Sequence, residues 1–161
     1  MGSMVPITSA QAANGASAVF FVNNANILFQ YAARDEPEKP RDVGRRYQDD
    51  PVKDQNGNAV TCSSKDLAAL AYQWQGLTST RLYFADGDNI MQELCSDNNG
   101  PWFIGSLGNS NFQATPGTQI SAHVNYNSSQ LKVYFYSASI TDRPSITWTT
   151  LGDDQWQVKG I

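Results

Sequence analysis

The sequence predicts an all-β chain built from about three four-stranded propeller blades. Three observations carry this: strand-forming residues fall in short runs, polar turn clusters separate the runs, and the pattern repeats at a period of roughly 50 residues. The runs are "AVFFV", "ILFQY", "LAALAYQW", "TRLYF", "ISAHVNY", "LKVYFY" and "SITWTT"; between them lie turns such as "NNAN", "ADGDN", "DNNGP" and "LGDDQ". Only "SKDLAALAYQW" offers a helical period, and its small residues suit a buried strand equally well.

Aligned with itself, the chain shows "ASAVFFVNNANILFQY", "LAALAYQWQGLTSTRLYF" and "ISAHVNYNSSQLKVYFY" as copies of one unit. Each has a small-residue strand, a short turn and an aromatic-rich strand. Ala18, Ala69 and Ala122 open the corresponding first strands, where the crowded centre of a propeller leaves no space for bulk. Third strands follow in "VGRRYQDD", "NIMQELCSD" and "SITWTTLGD", and fourth strands in "PWFIGSLG" and "QWQVKGI". The copies span about 16–61, 67–108 and 118–161 of a single domain, with residues 1–4 expected to be a cloning scar. The charged insertion "RDEPEKPRDVGRR" reads as a solvated loop of the first copy. Three blades leave two open flanks whose apolar faces are costly to expose, so a second copy is expected to close a six-bladed ring, the alternatives being a trimer with more blades or a chain cut from a longer parent.

Composition narrows function. A net charge of -4 offers no basic field for nucleic acid. "ASAVFFV" is too short to span a bilayer and lacks a basic flank, so neither membrane insertion nor a secretory signal is expected, which suggests a cytoplasmic or non-classically secreted protein. Cys62 and Cys95 have no metal-ligand spacing and read as reduced thiols. Asn127-Ser128-Ser129 is a glycosylation triplet, relevant only to a secreted chain. "ADGDN" lacks the later glycine and glutamate of a calcium loop and reads as a hairpin turn. No cofactor, metal or catalytic residue is expected: there is one histidine and no nucleophile or phosphate-cradling motif. Glu93 could pair with Asp97 or Asp86 as a glycosidase does, but an arginine neighbour would hold it ionised and spoil it as a general acid.

In the second copy, Arg81, Glu93 and Trp102 sit on three successive strands, where one blade edge could present them together. A guanidinium fork and a carboxylate suit sugar hydroxyls, and an indole suits the apolar face of a pyranose. The bland alternative is a cross-strand ion pair beside a core tryptophan.

The order "RLYF … DNIMQELCSD … GPWFIGSLG" resembles a blade of the fungal fucose-specific lectins of the Aleuria aurantia lectin type. These are six-bladed propellers with an I-R-V-Y strand, an I-x-E strand followed by aspartate and a G-W-Y-x-G close, holding L-fucose between adjacent blades. Residues 67–108 match closely, 118–161 in strand pattern and 16–61 weakly. The resemblance implies a non-catalytic, multivalent lectin for fucosylated glycans, binding through Arg81, Glu93 and Trp102. Ser96 stands where the family has an aromatic residue, so one stacking wall is missing. The third copy carries Lys132 and Trp148 in place of the arginine and glutamate, with Trp156 kept; the first carries Leu28 and Arg45. Those two sites are expected not to bind fucose. His123 and Tyr126 are expected to line the pocket from the third blade. The alternative is a degenerate propeller that contacts a protein.

Overall fold

A computed structural model describes residues 6–11, 15, 17–33 and 47–161. The chain forms three four-stranded antiparallel sheets, the blades of a propeller. The first comprises β1 (Ile7–Gln11), β2 (Ser17–Val22), β3 (Leu28–Ala33) and β4 (Tyr47–Pro51). The second holds β5 (Ala68–Trp74), β6 (Leu77–Ala85), β7 (Met91–Asp97) and β8 (Phe103–Ile104). The third holds β9 (Ser121–Asn125), β10 (Gln130–Phe135), β11 (Ser145–Thr150) and β12 (Gln157–Gly160). A short 3-10 helix, Ser106–Ser110, follows β8.

The stretch open to either a helical or a strand reading, "LAALAYQW", folds as strand β5. Its hairpin to β6 turns on Gln75 and Gly76, both with positive φ (49° and 80°), the backbone that a two-residue turn between twisted strands demands.

Why the second sheet is buried on both faces follows from alternation. Leu82, Phe84 and Leu94 point back to Phe20, Val22 and Leu28 of the first sheet. Tyr83, Ala85 and Met91 point forward to Leu131, Val133 and Phe135 of the third. Each sheet interface is thus one core, and the middle sheet shares both.

The register corrects the sequence frame of the first copy. Its first sheet begins with β1, and "ASAVFF" is the second strand, not the first. Ala18 pairs with Ala32 as Arg81 pairs with Cys95, and Phe20 pairs with Gln30 as Tyr83 pairs with Glu93. Ala18 therefore occupies the arginine position and Gln30 the glutamate position, while Leu28 is a fully buried core residue. Small residues do line the inner strands, but in the first sheet they are Thr8 and Ser9. In the third sheet Lys132 corresponds to Arg81 as expected, whereas Ile146 corresponds to Glu93 and Trp148 to Cys95. Arg45 and the rest of the charged insertion lie outside the described residues.

Candidate functional site

Arg81 and Glu93 come together in a cleft of about 620 Å³ between the second and third sheets. Arg81, on β6, and Glu93, Cys95 and Asp97, on β7, share the forward face because they stand two residues apart along their strands. The opposite wall comes from the third sheet: Leu131, Thr149, Gly152, Asp153, Asp154 and Trp156.

The guanidinium is fixed from several sides. Its Nη1 donates to Asp97 Oδ1 at 3.0 Å and to the Thr80 carbonyl at 3.2 Å, and its Nε lies 3.8 Å from Glu93 Oε1. Asp97 Oδ1 is itself held by the Ser79 hydroxyl at 2.7 Å, and the Tyr72 ring sits under the guanidinium at 5.4 Å. Nη2 makes no hydrogen bond among the described residues, so one arm of the fork is free to face the cleft. Burial opposes the Arg81 cation, yet the surrounding Cys95, Tyr72, Asp97 and Glu93 outweigh it and hold its pKa above the ordinary value.

Glu93 is 4% exposed. Its Oε1 accepts from the Tyr83 hydroxyl at 3.0 Å, and the backbone N–H groups of Ser106 and Leu107 also donate to the carboxylate. Burial nevertheless dominates and raises its pKa, against the pull of Arg81 and those donors. The sequence expectation that arginine would decide its titration is thereby reversed. Asp97, more exposed, goes the other way: some burial pushes its pKa up, but Ser79 and Arg81 bring it below the usual carboxylate value.

Gly105 is the residue that makes this carboxylate fit. Its N–H donates to the Glu93 carbonyl at 2.8 Å, and a Cβ placed on it would lie 2.7 Å from Glu93 Cγ and Cδ and nearer still to Oε2. Its φ of -83° is open to any residue, so the glycine serves close approach, not backbone freedom.

The tryptophan in this cleft is Trp156. It packs edge-on against Tyr83 at 6.2 Å, and its Nε1 donates to Ser106 Oγ at 3.0 Å. Trp102 lies elsewhere, in the cleft between the first and second sheets, edge-on to Phe20 at 5.8 Å. Ser96 lines that other cleft too, donating to the Gly100 carbonyl at 2.7 Å. The position equivalent to Ser96 in the Arg81 cleft is Thr149. Neither His123 nor Tyr126 lines the Arg81 cleft: His123 stacks on Tyr134 at 5.5 Å on the outer face of the third sheet, and the exposed Tyr126 faces a hollow with Gln73 and Thr78. Among the described residues no cluster of metal-ligating side chains occurs, and no helix is long and apolar enough to cross a membrane. Both cysteines are buried and free, and burial pushes Cys62 up to about 12.

The family model for fungal fucose-specific lectins matches residues 14–160. The chain belongs to this family. It is a family of lectins, not of enzymes. A fucose lectin from Kordia zhangzhouensis, solved with methyl-fucoside, is similar at a TM-score of 0.64 and 17% identity, over 97% of this chain and 99% of that one. A mutant of Aleuria aurantia lectin, solved with Fucα1-6GlcNAc, is similar at 0.64 and 15%, over 97% of this chain and 48% of its own. AofleA from Arthrobotrys oligospora aligns at 0.65 and 17%, over 97% and 41%. This lectin-family chain thus has the length of the Kordia chain and spans under half of the other two. At these identities the likeness shows the fold. No curated protein matches the chain significantly.

Proposed function

We propose that this chain binds L-fucose, as a residue of fucosylated glycans, in the cleft between its second and third sheets. The observation that carries the reading is the free arm of a pinned Arg81 and the buried Glu93 facing Trp156 across that cleft, in a chain of a fucose-lectin family. Arg81 Nη2 would donate to ring and hydroxyl oxygens, Glu93 would accept from a hydroxyl, and the indole would cover the apolar face of the sugar. Arg81 costs little further entropy on binding, since Asp97, Thr80 and Tyr72 already hold it in place. Thr149 stands where an aromatic wall would add stacking, so single-site affinity is modest and useful binding depends on several sites shown together.

Multivalency would come from a ring closed by a second copy. Two sheet faces have no partner among the described residues. The back of the first sheet presents a stack of Phe21 on Phe29 and Tyr31, at 5.7 and 5.2 Å, with Ile7 70% exposed beside it. The front of the third sheet presents Lys132, Tyr134, Trp148 and Lys159, the last over the Trp148 ring at 5.5 Å. By register these are the same kinds of face that bury each other twice inside the chain, so head-to-tail pairing of two copies covers both.

Calorimetric titration with methyl α-L-fucoside, with the particle mass taken by light scattering on the same sample, tests both parts. Saturable heat at about one site per chain from a particle of twice the chain mass supports them. An intact dimer with no heat would sink the sugar reading and turn attention to a propeller that contacts protein.

A further inference from the structure

We propose that the cleft between the first and second sheets is a separate binding site, and that it takes a neutral 2-acetamido sugar. The inference rests on the strand register and stands whether or not the other cleft takes fucose. The cleft holds about 320 Å³, at the lower end of the range of small-ligand sites, and among the described residues no charged one lines it. Its aromatic end repeats that of the fucose cleft: Trp102 meets Phe20 edge-on at 84°, as Trp156 meets Tyr83 at 73°. Its polar end is different chemistry. Ala18 replaces the guanidinium, and Gln30 replaces the carboxylate.

Without a cation or an anion, the cleft has lost the groups that discriminate a set of hydroxyls by strong hydrogen bonds. What it offers in exchange is a carboxamide, which donates and accepts at once. The Gln30 carboxamide and the Thr80 hydroxyl both line the cleft, and neither has a hydrogen-bond partner among the described residues. Unpaired polar groups facing a cleft are poised for a ligand that supplies the complement. An acetamide supplies it with one C=O and one N–H. Its methyl needs a small apolar recess, which Ala10, Ala18 and Ala32 form where the arginine side chain would otherwise lie. The Trp102 indole then covers the pyranose ring. Ser96 is committed to the Gly100 carbonyl and shapes the turn, and Ser17 and Asn99, which also line the cleft, have interactions of their own, leaving Gln30 as the amide reader.

The test is a titration of the full chain with methyl N-acetyl-β-D-glucosaminide, followed by calorimetry and by the NMR signals of the tryptophan indole N–H groups. Saturable binding that moves the Trp102 signal, weakens at least fivefold in Gln30→Leu and in Ala18→Leu, and persists in Glu93→Gln supports the proposal. Both first-cleft variants are accepted as folded only if their thermal unfolding matches the parent. Methyl β-D-glucoside, which lacks the acetamide, is expected to bind at least fivefold more weakly. Equal binding of the two glycosides, movement of Trp156 in place of Trp102, or no saturable binding would each overturn it. A silent fucoside titration beside retained N-acetylglucosaminide binding would overturn the reading of the other cleft and leave this one standing.

Discussion

Gly105→Ala is the substitution that most sharply separates this site from a mere ion pair. Ordinary carbon contact begins near 3.4 Å, so a methyl at Gly105 forces Glu93 Cγ and Cδ back by 0.7 Å and Oε2 by more. The side chain has nowhere to yield: it is 4% exposed, with the Tyr83 hydroxyl and the N–H groups of Ser106 and Leu107 directed at its carboxylate. Overpacking of this kind costs about 1–3 kcal/mol, or roughly 2–12 °C of melting temperature at this chain length. Moving the carboxylate this far breaks its charge-assisted hydrogen bond to the sugar, worth about 1.5–3 kcal/mol or roughly ten- to a hundredfold in affinity. Fucoside titration and thermal unfolding on the same samples are the assays, with Gly87→Ala as the companion: a Cβ there meets nothing within 4 Å, and both readouts should match the parent. Full fucoside affinity in a folded Gly105→Ala protein would refute the assignment of Glu93 to the ligand.

Three other outcomes follow from the geometry. Arg81→Ala takes from the buried Glu93 and the partly exposed Asp97 the cation they share, so the variant should lose binding and about 1–3 kcal/mol of stability, read as a lower melting temperature; an unchanged melt would show that the guanidinium is dispensable to the fold. Burial raises the pKa of Glu93, so the folded state takes up this proton before the unfolded chain does: its contribution to stability is full below the ordinary carboxylate range and falls as pH rises through the folded value. Sugar binding, which uses the ionised form, should therefore fall on acidification at a pH above that of an ordinary glutamate, and Glu93→Gln should remove the step; Asp97, with its lowered pKa, contributes stability that is lost only at lower pH. Finally, Tyr31→Lys places a cation on the back face that head-to-tail pairing brings against Lys132 and Lys159, and should halve the particle mass in light scattering without unfolding the chain.

Much of the fold was legible because alternation and turn chemistry act locally. "TRLYF" and "NIMQELCSD" declare their strands, and Arg81 and Glu93 declare a polar pair on one face of them. What the sequence obscured was which sheet interface each motif residue serves. Each copy of the motif carries residues for two clefts, one on each face, and parity along the strand separates them: Glu93 and Ser96 are an odd number apart and must point to opposite sides. Trp102 lies beyond a turn, where parity is lost, and only the three-dimensional stacking shows that it serves the preceding cleft while Trp156 serves this one. The first copy misled for another reason. Ala18 resembled the small residue of an inner strand, when by register it stands at the position that holds Arg81 in the second sheet; the true inner strand, "ITSAQ", is too polar and too near the start to announce itself. Gly105 left a trace in the close of the motif, but its purpose, room for a buried carboxylate, is visible only in the packing.

Which tryptophan meets the sugar decides between the two clefts. The four indole N–H signals of Trp74, Trp102, Trp148 and Trp156, assigned by single Trp→Phe variants and followed by NMR through a titration with methyl α-L-fucoside, decide it directly. The expected result is a saturable shift of the Trp156 signal with Trp102 still. A shift of Trp102 with Trp156 unmoved would contradict it and place fucose between the first and second sheets.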